Sequence, residues 1–175
     1  TTNYASFLFG YAFQPHRQLN AFTYPSAGRI EEYHQYGAFI FPRYISEHRA
    51  DWTVIRDSWI DGSWVDDPVQ ELAALMPEED FEALFGDFAA HNAGWNYADG
   101  DAFEADLDYW SENTSFGHDD HRIVDTVDHQ GTSDEWQQAA ADTLPERFGY
   151  NVIALRSPAD RDLIVRFEGD ETGSE

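Results

Sequence analysis

The sequence predicts an α+β fold, with a mainly helical N-terminal half over residues 1–94 and an acidic loop region with a small C-terminal β-hairpin or sheet over 95–175, packed together as one domain. Three observations carry this. The run at 30–48, IEEYHQYGAFIFPRYISEH, places Tyr33, Gly37, Ile40, Phe41, Tyr44, Ile45 and His48 at three- and four-residue steps, one wide apolar stripe of a buried central helix. Phe81, Leu84, Phe85 and Phe88 follow the i, i+3, i+4, i+7 pattern of an amphipathic helix. The runs 150–155 and 163–167 are strand-like, and Ser157-Pro158-Ala159-Asp160 between them is a turn, so they should pair as a hairpin.

In chain order, residues 1–12 are apolar and aromatic, a helix opened by Thr2 or Asn3 as its cap. Residues 13–28 hold Pro15, Pro25 and Gly28 among polar side chains, a connecting loop anchored by Leu19 and Phe22. In the central helix Gly37 fits where another backbone comes close. Pro42 there cannot donate to Ala38, so a kink or break is expected near Phe39, Ile40 and Phe41. Asp51 can cap a further helix in which Trp52, Ile55 and Trp59 share a face. Asp67-Pro68-Val69-Gln70 has the cap, the first-position proline and the third-position amide of a helix start. The helix through Phe88 stops at Asn92-Ala93-Gly94. Residues 96–121, rich in Asp, Asn and Gly, read as a long ordered loop with a helical turn at 103–110.

Composition narrows the function. Thirteen Phe, nine Tyr and six Trp are expected to dominate the core, and a chain of 175 residues buries enough surface to need no staple. Without cysteine there are no disulfides and no thiolate metal sites. Thirty-four acidic residues face ten basic ones, all arginine, for a formal charge of −24. Such a surface repels nucleic acid and anionic membranes. It fits a high-salt or divalent-rich environment, where screening relieves the self-repulsion. No apolar run spans a bilayer. Thr1 opens the chain without Met or a leader pattern, so the chain reads as processed or cut from something longer.

Three groupings could carry chemistry. Glu31, Glu32, Tyr33, His34 and Tyr36 crowd one turn and a half: a polar entrance to a core helix, or a site in which Tyr33, His34 or Tyr36 donates to a developing oxyanion beside a metal. Asp99, Asp101 and Glu104, with Asp106 and Asp108 behind them and Gly100 for the bend, read either as a solvated acidic loop or as one holding calcium, although the EF-hand spacing is absent. His118 and His121 lie three apart beside Asp119 and Asp120, an exposed polar turn or two ligands of a zinc or nickel site. There is no HExxH, no nucleophile elbow, no phosphate loop and no dinucleotide fingerprint.

The order of segments resembles a group of secreted, gluzincin-like zinc metallopeptidases and a related domain of unknown function. Pro15, Leu19 and Phe22 are similar to that group's P…L…F segment. Tyr36, Gly37, Phe41, Tyr44 and Glu47 are similar to its YG…F..YL.E helix. Val54 to Trp59, Phe88 to Asn92 with Trp95, and the strand pair around Gly149-Tyr150-Asn151 and Phe167-Glu168-Gly169 continue in the same order. The resemblance implies a secreted chain from the downstream side of a metallopeptidase-like fold. The zinc helix and third ligand would lie on an upstream segment or another subunit, and Tyr33 or Tyr36 would stabilise the oxyanion. On this expectation the chain is inactive alone. The alternative is a non-catalytic extracellular binding or assembly module, calcium-stabilised, whose exposed aromatics meet a peptide, a glycan or another subunit.

Overall fold

The computed structural model describes residues 5–49, 52–61, 67–116, 125–128 and 144–156, and these form a mainly helical fold. A 3-10 turn, Ala5–Phe7, leads into α1, Leu8–Ala12, every residue of which is buried. A second 3-10 turn, Ile30–Glu32, precedes α2, His34–Gly37, and α3, Ile40–Tyr44, which runs into a π-helical turn, Ile45–Arg49. Then come α4, Trp52–Asp61; α5, Pro68–Leu75; α6, Phe81–Ala93; and α7, Gly100–Asn113. Two short strands, β1 at Asp125–Asp128 and β2 at Ile153–Arg156, pair in parallel with Asp125 opposite Ile153. None of the described helices is long and apolar enough to cross a membrane.

The expected central helix is a chain of short pieces. Pro42 has no N–H for the Ala38 carbonyl, which takes the Phe41 N–H instead at 3.1 Å, a tightened turn. The break falls at Ala38 and Phe39, between α2 and α3. Beyond it the ladder widens into the π-turn, which the residue pattern did not signal.

Residues 100–113, expected as mostly loop, are helical. Phe103 and Leu107 are buried and Trp110 is packed on the core, so the stripe at i, i+4, i+7 outweighs the acidic residues between. Two helix starts follow their capping chemistry. Asp67 accepts the Val69 N–H at 2.9 Å with Pro68 at the first position, and Asp80 accepts from Glu82 and Ala83 at 3.1 and 3.2 Å. Of the two expected loop anchors, Leu19 is buried, but Phe22 is exposed, with its ring edge-on to exposed Tyr24.

The core is aromatic. Phe88 of α6 sits against Phe41 (4.9 Å between ring centres, edge to face), Tyr44 and Tyr11. Phe9 of α1 stacks on Trp110 of α7 at 4.2 Å. The segment 144–150 is sewn to the loop after α1: Glu146 and Tyr150 donate backbone N–H groups to His16 and Pro15 at 2.7 and 2.8 Å, while Phe148 packs on Phe81 and Phe85. β2 follows directly. The other half of the expected hairpin, 163–167, lies outside the described residues, and the neighbour observed for β2 is parallel.

α1 and α2 cross with almost no space between backbones. A Cβ on Gly37 would stand 2.7 Å from the Tyr11 amide nitrogen and 2.8 Å from the Phe7 carbonyl oxygen; one on Gly10 would stand 2.5 Å from the Tyr33 carbonyl. Gly86, mid-α6 and exposed, meets nothing within 4 Å. Gly37→Ala should therefore destabilise the fold by about 1–3 kcal/mol or more, since backbone must shift, whereas Gly86→Ala should stabilise it by up to about 1 kcal/mol from helix propensity. Urea unfolding of both variants measures this. A Gly37→Ala protein as stable as the parent would show that the crossing is not tight.

Candidate functional site

The Tyr33–His34–Tyr36 cluster forms where the 3-10 turn meets α2, and the three side chains part company. His34 is buried, its ring 5.2 Å from that of Tyr11, and its Nε2–H donates to the Gln18 carbonyl at 3.0 Å. Burial, with the Arg17 charge adding, lowers its pKa from 6.5 to about 4 against the opposing hydrogen bonds, so the ring is neutral. That is a core histidine joining α2 to the loop. Tyr33 is half-buried among Phe7, Phe9 and Phe116. Tyr36 alone turns outward, 42% exposed, with Phe7 on one side.

Beside them Glu32 is a latch. Its carboxylate accepts the backbone N–H groups of Ala27 and Gly28 at 2.9 and 2.8 Å, and Gly28 takes a left-handed φ of 68° to present its own. Desolvation pushes the carboxyl up, but the N–H groups of the 26–29 turn outweigh it and bring the pKa down to about 2.

Asp99, Asp101 and Glu104 stand at the start of α7. Asp99 is spent on Arg43, at 3.1 Å. Asp101 and Glu104 lie within the first turns of the helix, with Asp101 exposed. Asp106, one turn on, is half-buried; its Oδ2 has no hydrogen-bond partner among the described residues, and burial raises its pKa. His118 and His121 lie outside the described residues. Among the described residues, Asp99, Asp101 and Glu104 included, no three His, Asp or Glu side chains come together as a metal site.

A grouping absent from the sequence reading surrounds the π-turn. His48, on that turn, meets His91 of α6 with ring centres 4.4 Å apart, and Tyr97 lies against His48. The turn after α6 makes this contact: Trp95 adopts a left-handed φ of 45°, bringing the chain back so that the Ala98 N–H donates to Glu47. Tyr44 donates to Asp87 at 2.8 Å, and Arg49 donates to both. The Tyr44 hydrogen bond and the Arg49 charge hold the Asp87 carboxyl below its usual range. Deeper in, the Tyr97 hydroxyl donates to Asn92, and burial raises the pKa values of Tyr97, Tyr11 and Tyr150, keeping three neutral phenols in the core. π-Turns concentrate at functional positions. Here the available signal was the i, i+4 step from Tyr44 to His48, which reads as core.

On the other side of α3 an apolar groove of about 530 Å³ lies between α3 with its π-turn and α4, lined by Pro42, Ser46, Trp52, Ile55, Trp59 and Ile60, with Arg43 and Arg56 at its rim. Trp52 is 62% exposed, Trp59 84% and Ile60 69%.

Two adjacent latches titrate in separate windows. His34 has a folded pKa depressed below its unfolded one, so the stability of its neutral form is complete above about pH 6.5 and is lost as the pH falls toward 4. Relative to His34→Gln, whose amide can still donate to Gln18, the parent should lose about 2–3 kcal/mol between pH 7.5 and 4.5. Glu32 contributes above about pH 4.5 and loses its contribution toward pH 2, so Glu32→Gln should flatten only the lower limb. Denaturant melts across pH read both. Parallel profiles for parent and His34→Gln would contradict the buried, neutral His34.

Comparison with known proteins matches residues 11–175 to a family described as a family of unknown function, DUF6055. No curated protein and no solved structure matches the chain. The match covers nearly the whole chain, from α1 onward, and the protein therefore belongs to the DUF6055 family.

Proposed function

We propose that this chain is a helical platform of a secreted, zinc-metallopeptidase-like protein, without hydrolytic activity of its own. The observation that carries this is Tyr36: in the segment whose Tyr36, Gly37, Phe41, Tyr44 and Glu47 resemble the metallopeptidase helix, it is the one phenol that faces solvent beside a rigid core. A hydroxyl so held can donate to an oxyanion formed at a neighbouring centre. A hydrolytic zinc needs about three protein ligands and a base, and these would come from beyond the described residues or from another polypeptide. We read the whole chain as one domain with a small C-terminal β region docked on the helical half, since 144–150 is tied to the loop after α1.

A second reading, a non-catalytic extracellular binding module, is favoured by the bare indoles of α4.

The purified chain, assayed against a mixed peptide library with and without Zn²⁺, should show no zinc-dependent cleavage. Combined with a polypeptide carrying HExxH it should become active, and Tyr36→Phe should then lower kcat by roughly 10²–10³-fold with KM little changed. Zinc-dependent cleavage by the chain alone, abolished by His118→Ala, would overturn the platform reading.

A further inference from the structure

The α4 groove leaves large apolar side chains open beside two paired arginines. Trp52 and Trp59 are seven residues apart on one helix, so they stand on nearly the same side with a rise of about 10.5 Å between them. Arg56 holds the first of them: its guanidinium lies 5.3 Å from the Trp52 ring centre and is tied to Asp57 at 2.7 Å. An indole fixed in this way loses little rotamer freedom on binding a ligand.

Charge selects the occupant. Both rim arginines are paired, Arg56 with Asp57, and Arg43 with Glu47 at 2.8 Å and Asp99 at 3.1 Å. The groove is thus a mainly apolar patch, its two arginines paired, on a chain of net charge −24. A polyanion would meet that field, and among the described lining residues both cations are already paired. A second copy would set −24 against −24. A basic peptide would be drawn to the molecule, but the described residues that line the groove include no carboxylate to receive it. What fits an apolar floor with two indoles is a ligand with flat apolar faces edged by hydroxyls. The C–H faces of a sugar ring carry partial positive charge and pack on the negative face of an aromatic ring. Arg56 carries five N–H donors, and those not turned to Asp57 can reach the edging hydroxyls.

We propose that the Trp52–Trp59 face of α4 binds a neutral glycan chain, with successive indoles stacking on sugars about two rings apart. This rests on the binding-module reading and is independent of the metallopeptidase one, so the zinc assay and the experiment below can fail separately.

The test is affinity electrophoresis and tryptophan fluorescence titration of the full chain with hydroxyethyl cellulose, mannan and laminarin, with alginate as the anionic control. At least one neutral polysaccharide should retard the chain and shift its tryptophan emission. Trp52→Ala and Trp59→Ala should each weaken binding at least tenfold and the double variant should abolish it, with melting temperatures unchanged at these exposed positions. Tyr24→Ala, another exposed aromatic away from the groove, should bind as the parent does. Retardation by alginate alone, by none of the four, or equally in parent and double variant would overturn the proposal. So would sedimentation showing a dimer that Trp59→Ala dissociates, because the face would then be covered by a second copy.

Discussion

The joint between α1 and α2 is the constraint on which the rest of this structure depends. Two glycines, Gly10 and Gly37, let the two backbones meet where a methyl group on either would collide with main chain. That close approach brings Tyr11 of α1 against His34 of α2 and Phe9 against Tyr33. Phe88 of α6 then closes over Tyr11, Phe41 and Tyr44. Short helices of four and five residues have little stability by themselves. They persist here because each is buried on several sides by rings from the others.

The same crowding accounts for the polar chemistry of the interior. A core built of Tyr rather than Phe brings hydroxyls inside, and each needs a partner or a cost is incurred. Tyr97 finds Asn92, and Tyr44 finds Asp87 and Arg49. Burial keeps the deep phenols protonated, so they act as donors and not as bases. His34 and Glu32, consecutive but for Tyr33, have opposite fates for the same reason. The imidazole is neutral because its surroundings are apolar, whereas the carboxylate stays charged because backbone N–H groups surround it.

Much of the helical half was legible in the sequence where local chemistry decides. Asp67 and Pro68 start α5, the Phe81–Phe88 spacing marks α6, and Gly37 marks the close approach. Pro42 places the break correctly, but not the π-turn that follows, because the widening of a helix depends on what packs against it. The start of α7 was hidden by its acidic residues, which lower apparent periodicity without altering the buried Phe103 and Leu107. The site was less legible. The Tyr33–Tyr36 crowding is real in sequence but divides into one core histidine, one packed ring and one exposed ring. His48 and His91 are 43 positions apart, and only the crossing of the π-turn with α6 makes them neighbours. The exposed face of α4 carries the same apolar spacing as a buried one, so its role could not be read from pattern.

Native-state hydrogen exchange tests the central claim most directly. If the glycine joint organises the core, amides in α1, in α2 and α3, and in the second half of α6 should exchange together, only through global unfolding, with one free energy and one denaturant dependence. Amides of α4, whose outer face is open, should exchange at lower free energy. Exchange of α1 amides by a separate, low-energy opening while α6 stays protected would contradict the account, because the core would then hold without the joint.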